Sequence, residues 1–267
     1  MKIMKKSNIH KYLLALFAAL LLCPFGASSQ TVRGDFDYDG DFDISDLTLL
    51  INYLVNDIWN DEPIDLVRDT VMVNGEMIVM VSVEGGILEH DDGWMFRVDD
   101  FWICKTEVTA ELWAAVMGGT ANGQHKASTN HSWNDFQAFI DALNALTGRQ
   151  FRLPSSTEWE YAAMGGNRSR GYTYCGGNDI DVVGWYKDNC GKVMPVGLLK
   201  CNELGLYDMS GNVGEFCQDG PNESPNDVRR YACGGNYSED AANQTQTRQR
   251  SFQPGWSGGG YGMRLAM

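Results

Sequence analysis

The sequence predicts an α+β fold dominated by irregular loops, with short strands and few helices. Three observations carry that expectation. The chain holds 30 glycines and 8 tryptophans in 267 residues, it shows no sustained helical or heptad periodicity, and its apolar alternations are short and end in glycine-rich turns. Aromatic side chains then fill the gaps between short elements. An apolar content of 43% suffices for a sizeable core, and the length suits one large domain preceded by a small module.

Residues 1–29 read as a cleavable signal peptide. Lys2, Lys5, Lys6 and Lys11 precede the apolar run Leu13–Cys23, and Gly26, Ala27, Ser28 and Ser29 follow it, which sets cleavage between Ser29 and Gln30. The run is too short to cross the hydrocarbon core of a membrane. LLLC at Leu20–Cys23 is a weaker lipoprotein signal, because Leu22 stands where a small residue belongs. The expected location is therefore secreted, periplasmic or cell-surface, with anchoring at Cys23 the lesser alternative. Without this segment 17 basic residues face 35 acidic ones, a net charge of −18, which argues against nucleic acid as a partner. Cys104, Cys175, Cys190, Cys201, Cys217 and Cys233 remain. In an oxidising compartment an even count implies disulfides, with connectivity left open. The chain has no CxxC, and His90, His125 and His131 are the histidines left, so no zinc site is expected.

Residues 30–60 form the next expected unit. In GDFDYDGDFDISDLTLLINYLVND, counting Asp35 as position 1 puts Asp37, Asp39, Asp43 and Asp46 at positions 3, 5, 9 and 12, with Gly40 at 6 and the carbonyl of Asp41 at 7. That is an EF-hand calcium pattern: a hard cation takes oxygen ligands from alternating carboxylates, and the glycine makes the sharp turn. Ile44, Leu47, Leu50, Ile51 and Leu54 then recur at helical spacing. Loop and helix together resemble a single type I dockerin repeat. The resemblance implies docking to a cohesin-like partner, and packing on its own chain is the competing expectation, since a complete dockerin has two repeats.

After an acidic link around residues 60–65, one domain is expected to the C-terminus. Met77–His90 alternates like a strand and turns at Gly85 and Gly86, and Phe101–Thr109 is a second strand leading into a helix capped by Thr109. Ser132 and Asp135 open a helix with Phe136, Ile140 and Leu143 on one face, which closes at Gly148. FRLPSSTEWEYAA gives a short strand, then a capping box from Ser155 to Glu158. Beyond Gly165 the pattern is loops and short strands.

KTEVT (105–109), RLPSSTEWEYAAMGG (152–166), PVG (195–197), NELGLYDMSGNVGEF (202–216), CGGNY (233–237) and GMRLA (262–266) occur in this order. Together they resemble the formylglycine-generating enzyme, or sulfatase-modifying factor, domain over residues 73–267. The resemblance implies a variant of the C-type lectin fold. It also implies a calcium cage in the loop from Gly205 to Asp219, with Asp208 and Glu215 as side-chain ligands and Gly211 and Val213 as backbone ligands; two carboxylates and two carbonyls are a suitable oxygen set.

The enzymes of this family oxidise a substrate cysteine with a pair of cysteines suited to copper(I). Here Glu239 and Gln244 fall at the corresponding places, and no cysteine follows Cys233. A Ser-His-Asp constellation would have to draw on His90, His125 or His131. No catalytic residue is therefore expected. The expected function is calcium-stabilised binding of a glycan or protein ligand at a bacterial envelope or extracellular surface, through Asn236, Tyr237, Glu239, Gln244, Arg248, Phe252 and Trp256. The competing expectations are formylglycine-generating activity and a variable receptor diversified by retroelements.

Overall fold

The structure, a computed structural model, describes residues 66–89, 93–221, 226–244 and 249–267, together with Pro63 and Leu47 as single positions. The signal peptide and, apart from Leu47, the calcium module of residues 30–60 lie outside the described residues, as do His90 and Arg248.

Three strands build the first sheet: β1 (Arg68–Val73), β2 (Glu76–Val83) and, after the hairpin β3 (Gly86–Glu89) and β4 (Met95–Val98), β5 (Phe101–Cys104). The order is β1-β2-β5, antiparallel throughout, with Val73 opposite Glu76 and Met80 opposite Cys104. Because β1 pairs with β2 along its whole length, the folded unit takes in residues ahead of the expected boundary at 73. Alternation along β2 feeds both faces of this sheet. Ile78 and Met80 join a core with Leu112, Phe136, Phe139 and Leu143, while Val81 and Val83 join one with Ile103, Trp159 and Tyr161.

The helices follow their expected caps. Helix α1 (Ala110–Met117) starts at Thr109, whose hydroxyl accepts from the Leu112 amide at 3.1 Å. Helix α2 (Trp133–Thr147) carries the Ser132–Asp135 capping box and ends at Gly148 with φ 68°. Helix α3 (Ser156–Ala163) carries the Ser155–Glu158 box. The strand expected just before α3 is reduced to a bridge between Arg152 and Ala266, since Pro154 cannot donate to a ladder. Beyond α3, a four-residue helix α4 (Ile180–Val183) and short strands interrupt the loops. β6 (Gly214–Phe216), β7 (Arg230–Cys233), β8 (Gln249–Phe252) and β9 (Tyr261–Gly262) form a second sheet in the order β8-β7-β6-β9. The C-terminal residues close on the first sheet: the Cys104 amide donates to Leu265 O and the Trp102 amide to Met267 O.

Candidate functional site

The loop from Asn202 to Phe216 joins the two sheets. Asn202 fixes its start: its Oδ1 accepts from the amides of Leu204 and Leu206, and its Nδ2 donates to the Ala162 carbonyl at 2.7 Å. That bond adds a second donor to a carbonyl at the end of α3, which also accepts from the Gly165 amide at 3.1 Å. At the other end of α3, Asp219 accepts from the Ser156 amide and hydroxyl at 2.6 and 2.7 Å. The loop then turns through left-handed backbone at Gly205, Asp208, Gly211 and Asn212, conformations open to glycine and tolerated by Asp and Asn. At Gly211 a Cβ would collide with the carbonyl of Trp185.

These turns bury four charged side chains together. Arg264 is fully buried and grips Glu215, with Nη2 to Oε1 at 2.7 Å and Nε to Oε2 at 2.9 Å. Trp159 Nε1 donates to Glu215 Oε2 at 2.6 Å. Glu107 accepts from Asn212 Nδ2 at 2.6 Å and from the Val213 amide at 3.1 Å. Asp208 Oδ2 accepts from the Gly197 amide at 2.7 Å, while its buried Oδ1 has no hydrogen-bond partner. Burial, reinforced by Asp208 and Glu215, raises the Glu107 carboxyl well above its usual range. Burial also pushes Asp208 up to about 6, against the Gly197 hydrogen bond and Arg264.

Of the residues expected in a calcium cage, Asp208 and Glu215 offer different donors. Asp208 Oδ1 is a buried oxygen open to a cation. Glu215 already receives four hydrogen bonds, three from Arg264 and one from Trp159, which fill the acceptor capacity of a carboxylate. Among the described residues no group of three or more His, Cys, Asp or Glu side chains could hold a metal. Glu107 and Arg264 enter the sequence reading only as parts of KTEVT and GMRLA; Arg264 is a charge among apolar neighbours, a signal of burial, whereas Glu107 stands among Lys105, Thr106 and Thr109 with no such signal.

The second region follows β7. Gly234 and Gly235 have φ of 91° and 71°, and a Cβ on Gly235 would collide with the Asn243 carbonyl. This tight turn directs Asn236 and Gln244 inward. Gln244 is fully buried and donates to the carbonyls of Asn236, Glu239 and Asp240. Asn236, also buried, accepts from the Ser238 amide and hydroxyl and donates to Glu239 Oε1. Both side chains brace the loop from within, and Gln244 Oε1 is buried without a hydrogen-bond partner. Glu239 pairs with Arg250 at 2.9 Å. Of the expected ligand residues, Trp256 reaches the surface, 37% exposed and stacked on Phe252 at 4.2 Å, and Tyr237 is half-buried.

Among the described residues, His131 Nε2 lies 3.0 Å from Ser128 Oγ, while Asp135 Oδ2 accepts from the Ser132 amide and hydroxyl, and His125 Nδ1 stands 3.9 Å from Glu111 Oε2. The sulfurs of Cys217 and Cys233 approach to 3.6 Å. Both are buried, and burial raises the Cys217 thiol well above its usual range. With a carboxylate at 239 and an amide at 244, the donors there do not fit copper(I), which prefers thiolates.

Known proteins share this fold. Treponema denticola variable protein 1 superposes with a TM-score of 0.66 at 25% identity, over 75% of this chain and 98% of that one. CarF gives 0.61 at 24% identity, over 71% and 97%. The chaperone protein LppX of Paenibacillus barcinonensis is 29% identical, over 59% of this chain and 78% of that protein. The formylglycine-generating enzyme of Streptomyces coelicolor is 32% identical, but the match covers 33% of this chain and 30% of the enzyme. The fold is thus mixed, with few helices and short strands, like its C-type lectin-like neighbours. The family model for the sulfatase-modifying factor enzyme 1-like domain matches residues 67–267, and the chain belongs to that family.

Proposed function

We propose that this protein is an exported, non-catalytic binding protein that presents its C-terminal loops to a glycan or protein ligand at a bacterial envelope or extracellular surface. One observation carries the reading. The two positions expected to bear the family's redox thiols hold an ion-paired glutamate and a buried glutamine, both engaged in bracing the loop. Trp256, stacked on Phe252 with Tyr261 edge-on at 5.2 Å, offers an aromatic platform, a surface type suited to sugar rings and to protein hot spots. Calcium belongs to the reading chiefly through the Asp35–Asp46 loop, with Asp37 and Asp39 among its ligands. Docking of that module, on a cohesin-like partner or on its own chain, belongs to the same proposal. Export rests on the signal-like residues 1–29; among the described residues no helix is long and apolar enough to cross a membrane.

A glycan array probed in the presence of calcium tests the proposal, with Trp256→Ala as the partner sample. Binding that disappears in Trp256→Ala without loss of fold is the expected result. Aldehyde formation on a cysteine-containing sulfatase peptide, with copper, oxygen and reductant and above the metal-only control, would overturn the non-catalytic reading. The similarity to Treponema denticola variable protein 1 favours a second reading, a receptor diversified in these loops. Gene copies differing only between Gly234 and Met267 would select it.

A further inference from the structure

The aromatic platform continues into a cation. Arg230 opens β7 directly opposite Phe252 in β8, and opposed residues of an antiparallel pair put their side chains on one face of the sheet, about 5 Å apart. Ala232 and Phe252 lie on that face and pack on the core that holds Phe136 and Phe216. The Arg230 guanidinium stands at its rim, 4.7 Å from the centre of the Trp133 ring. Trp133 is itself anchored, since its Nε1 donates to the Cys217 carbonyl at 2.9 Å. The next residue, Asn134, donates its amide to the Pro254 carbonyl at 3.2 Å, which ties the start of α2 to the segment that carries Trp256. Trp133, Arg230, Phe252 and Trp256 thus follow one another along the rim.

The hydrogen bonds of Arg230 leave one nitrogen for an outside acceptor. Nη1 donates to the carbonyls of Val228 and Arg229 at 3.2 and 3.1 Å, and Nε is buried without a hydrogen-bond partner. Nη2 has no partner among the described residues. The described acids of the flanking loops are engaged by other arginines, Asp227 by Arg229 at 2.8 Å and Glu239 by Arg250 at 2.9 Å. The contact with Trp133 holds the guanidinium in place with its charge intact.

We propose that the ligand is an acidic glycan: one sugar ring stacks on Trp256, and an anionic group of the same chain, a carboxylate or a sulfate, accepts from Arg230 Nη2. The inference rests on the reading of the platform as the binding surface and names the class of glycan it takes. Stacking on an aromatic face is open to any sugar with an apolar face. A hydrogen bond between a guanidinium and an anionic oxygen is roughly twice as strong as a neutral one, so Arg230 is the group that selects acidic sugars over neutral ones.

Isothermal titration calorimetry of the full chain tests the assignment with three probes: a hyaluronan octasaccharide, which carries carboxylates; its methyl ester, the same chain without charge; and a κ-carrageenan octasaccharide, which carries sulfates. Salt at about 0.15 M screens the repulsion of the protein's remaining charge beyond about 8 Å. An acidic probe should bind saturably, and the tighter of the two identifies the anionic group. Arg230→Gln should weaken that probe roughly tenfold, the size of one charge-assisted hydrogen bond, and leave the ester unchanged, a contrast that a misfolded variant would not give. Arg230→Lys, which keeps the charge, should fall between. Arg97→Gln, at an exposed arginine paired with Asp99 at 3.3 Å, should alter neither. The assignment fails if neither acidic probe saturates, if the ester binds as tightly as hyaluronan, or if Arg230→Gln weakens acid and ester alike or not at all. Ester binding that Trp256→Ala abolishes, with no preference for acid, would leave the platform standing without the acidic ligand, and silence from all three probes would remove the glycan reading with it.

Discussion

Arg264 meets Glu215 inside a cluster that also holds Glu107 and Asp208, so the guanidinium decides how much buried negative charge this fold can carry. Burial works against the Arg264 charge, and Glu215 more than restores it. Replacing Arg264 by methionine leaves the carboxylates without their cation and should cost about 3–5 kcal/mol in urea unfolding. Adding Glu215→Gln should recover part of that loss, because the two residues are coupled. A single variant as stable as the parent would show that the pair contributes nothing. Asp208 carries the opposite prediction. Its folded pKa of about 6 lies above the ordinary 3.8, so the folded state holds the proton more tightly. Its contribution to stability is fully present below the unfolded pKa and is lost as pH rises through about 6. Asp208→Asn should therefore raise the melting temperature at pH 8 and change it little at pH 4. A lower melting temperature for Asp208→Asn in calcium, at either pH, would instead mark Asp208 as a metal ligand.

Between elements, the second sheet brings two thiols together. Glu215 in β6 stands opposite Cys233 in β7, and the Cys217 amide donates to Tyr231 O, which puts the two cysteines on diagonal positions with their sulfurs 3.6 Å apart. A disulfide needs these sulfurs about 2.05 Å apart, a small movement for neighbouring strands. Air-oxidised protein should therefore yield the Cys217–Cys233 peptide in non-reducing mass mapping, and Cys217→Ser should abolish it. Recovery of a different pair instead would mean that the strands open before they oxidise. The even cysteine count predicted a bridge without saying which; the register of β6 on β7 brings these two thiols, unbridged in the structure, within reach of each other.

For the whole molecule, two kinds of calcium site make separable predictions. The described domain has its own cores and closes its C-terminus on β5, so its main unfolding transition should persist in chelator. Elemental analysis of the purified chain should find calcium that Asp37→Asn/Asp39→Asn removes, because that loop loses two of its charged oxygens. If all the calcium survives that double variant, the EF-hand reading fails. Any fraction that instead follows Asp208 assigns an ion to the second loop.

What the sequence determined by itself are the features whose partners lie within a few residues. Thr109, the Ser132–Asp135 and Ser155–Glu158 boxes and Gly148 set helix ends through hydrogen bonds or a single backbone angle, so their spacing suffices to place them. The ordered motifs likewise carried the family. The tertiary structure alone decided what the motif residues do. Glu215 has a spacing that suits a calcium ligand, yet it receives Arg264 from 49 residues away; Asn212 reaches Glu107 across 105. Asn236 and Gln244 read as surface polar residues and are buried by the turn at Gly234–Gly235. Such pairings depend on which loops the two sheets bring together, and that is fixed by the packing of the core rather than by any local pattern along the chain.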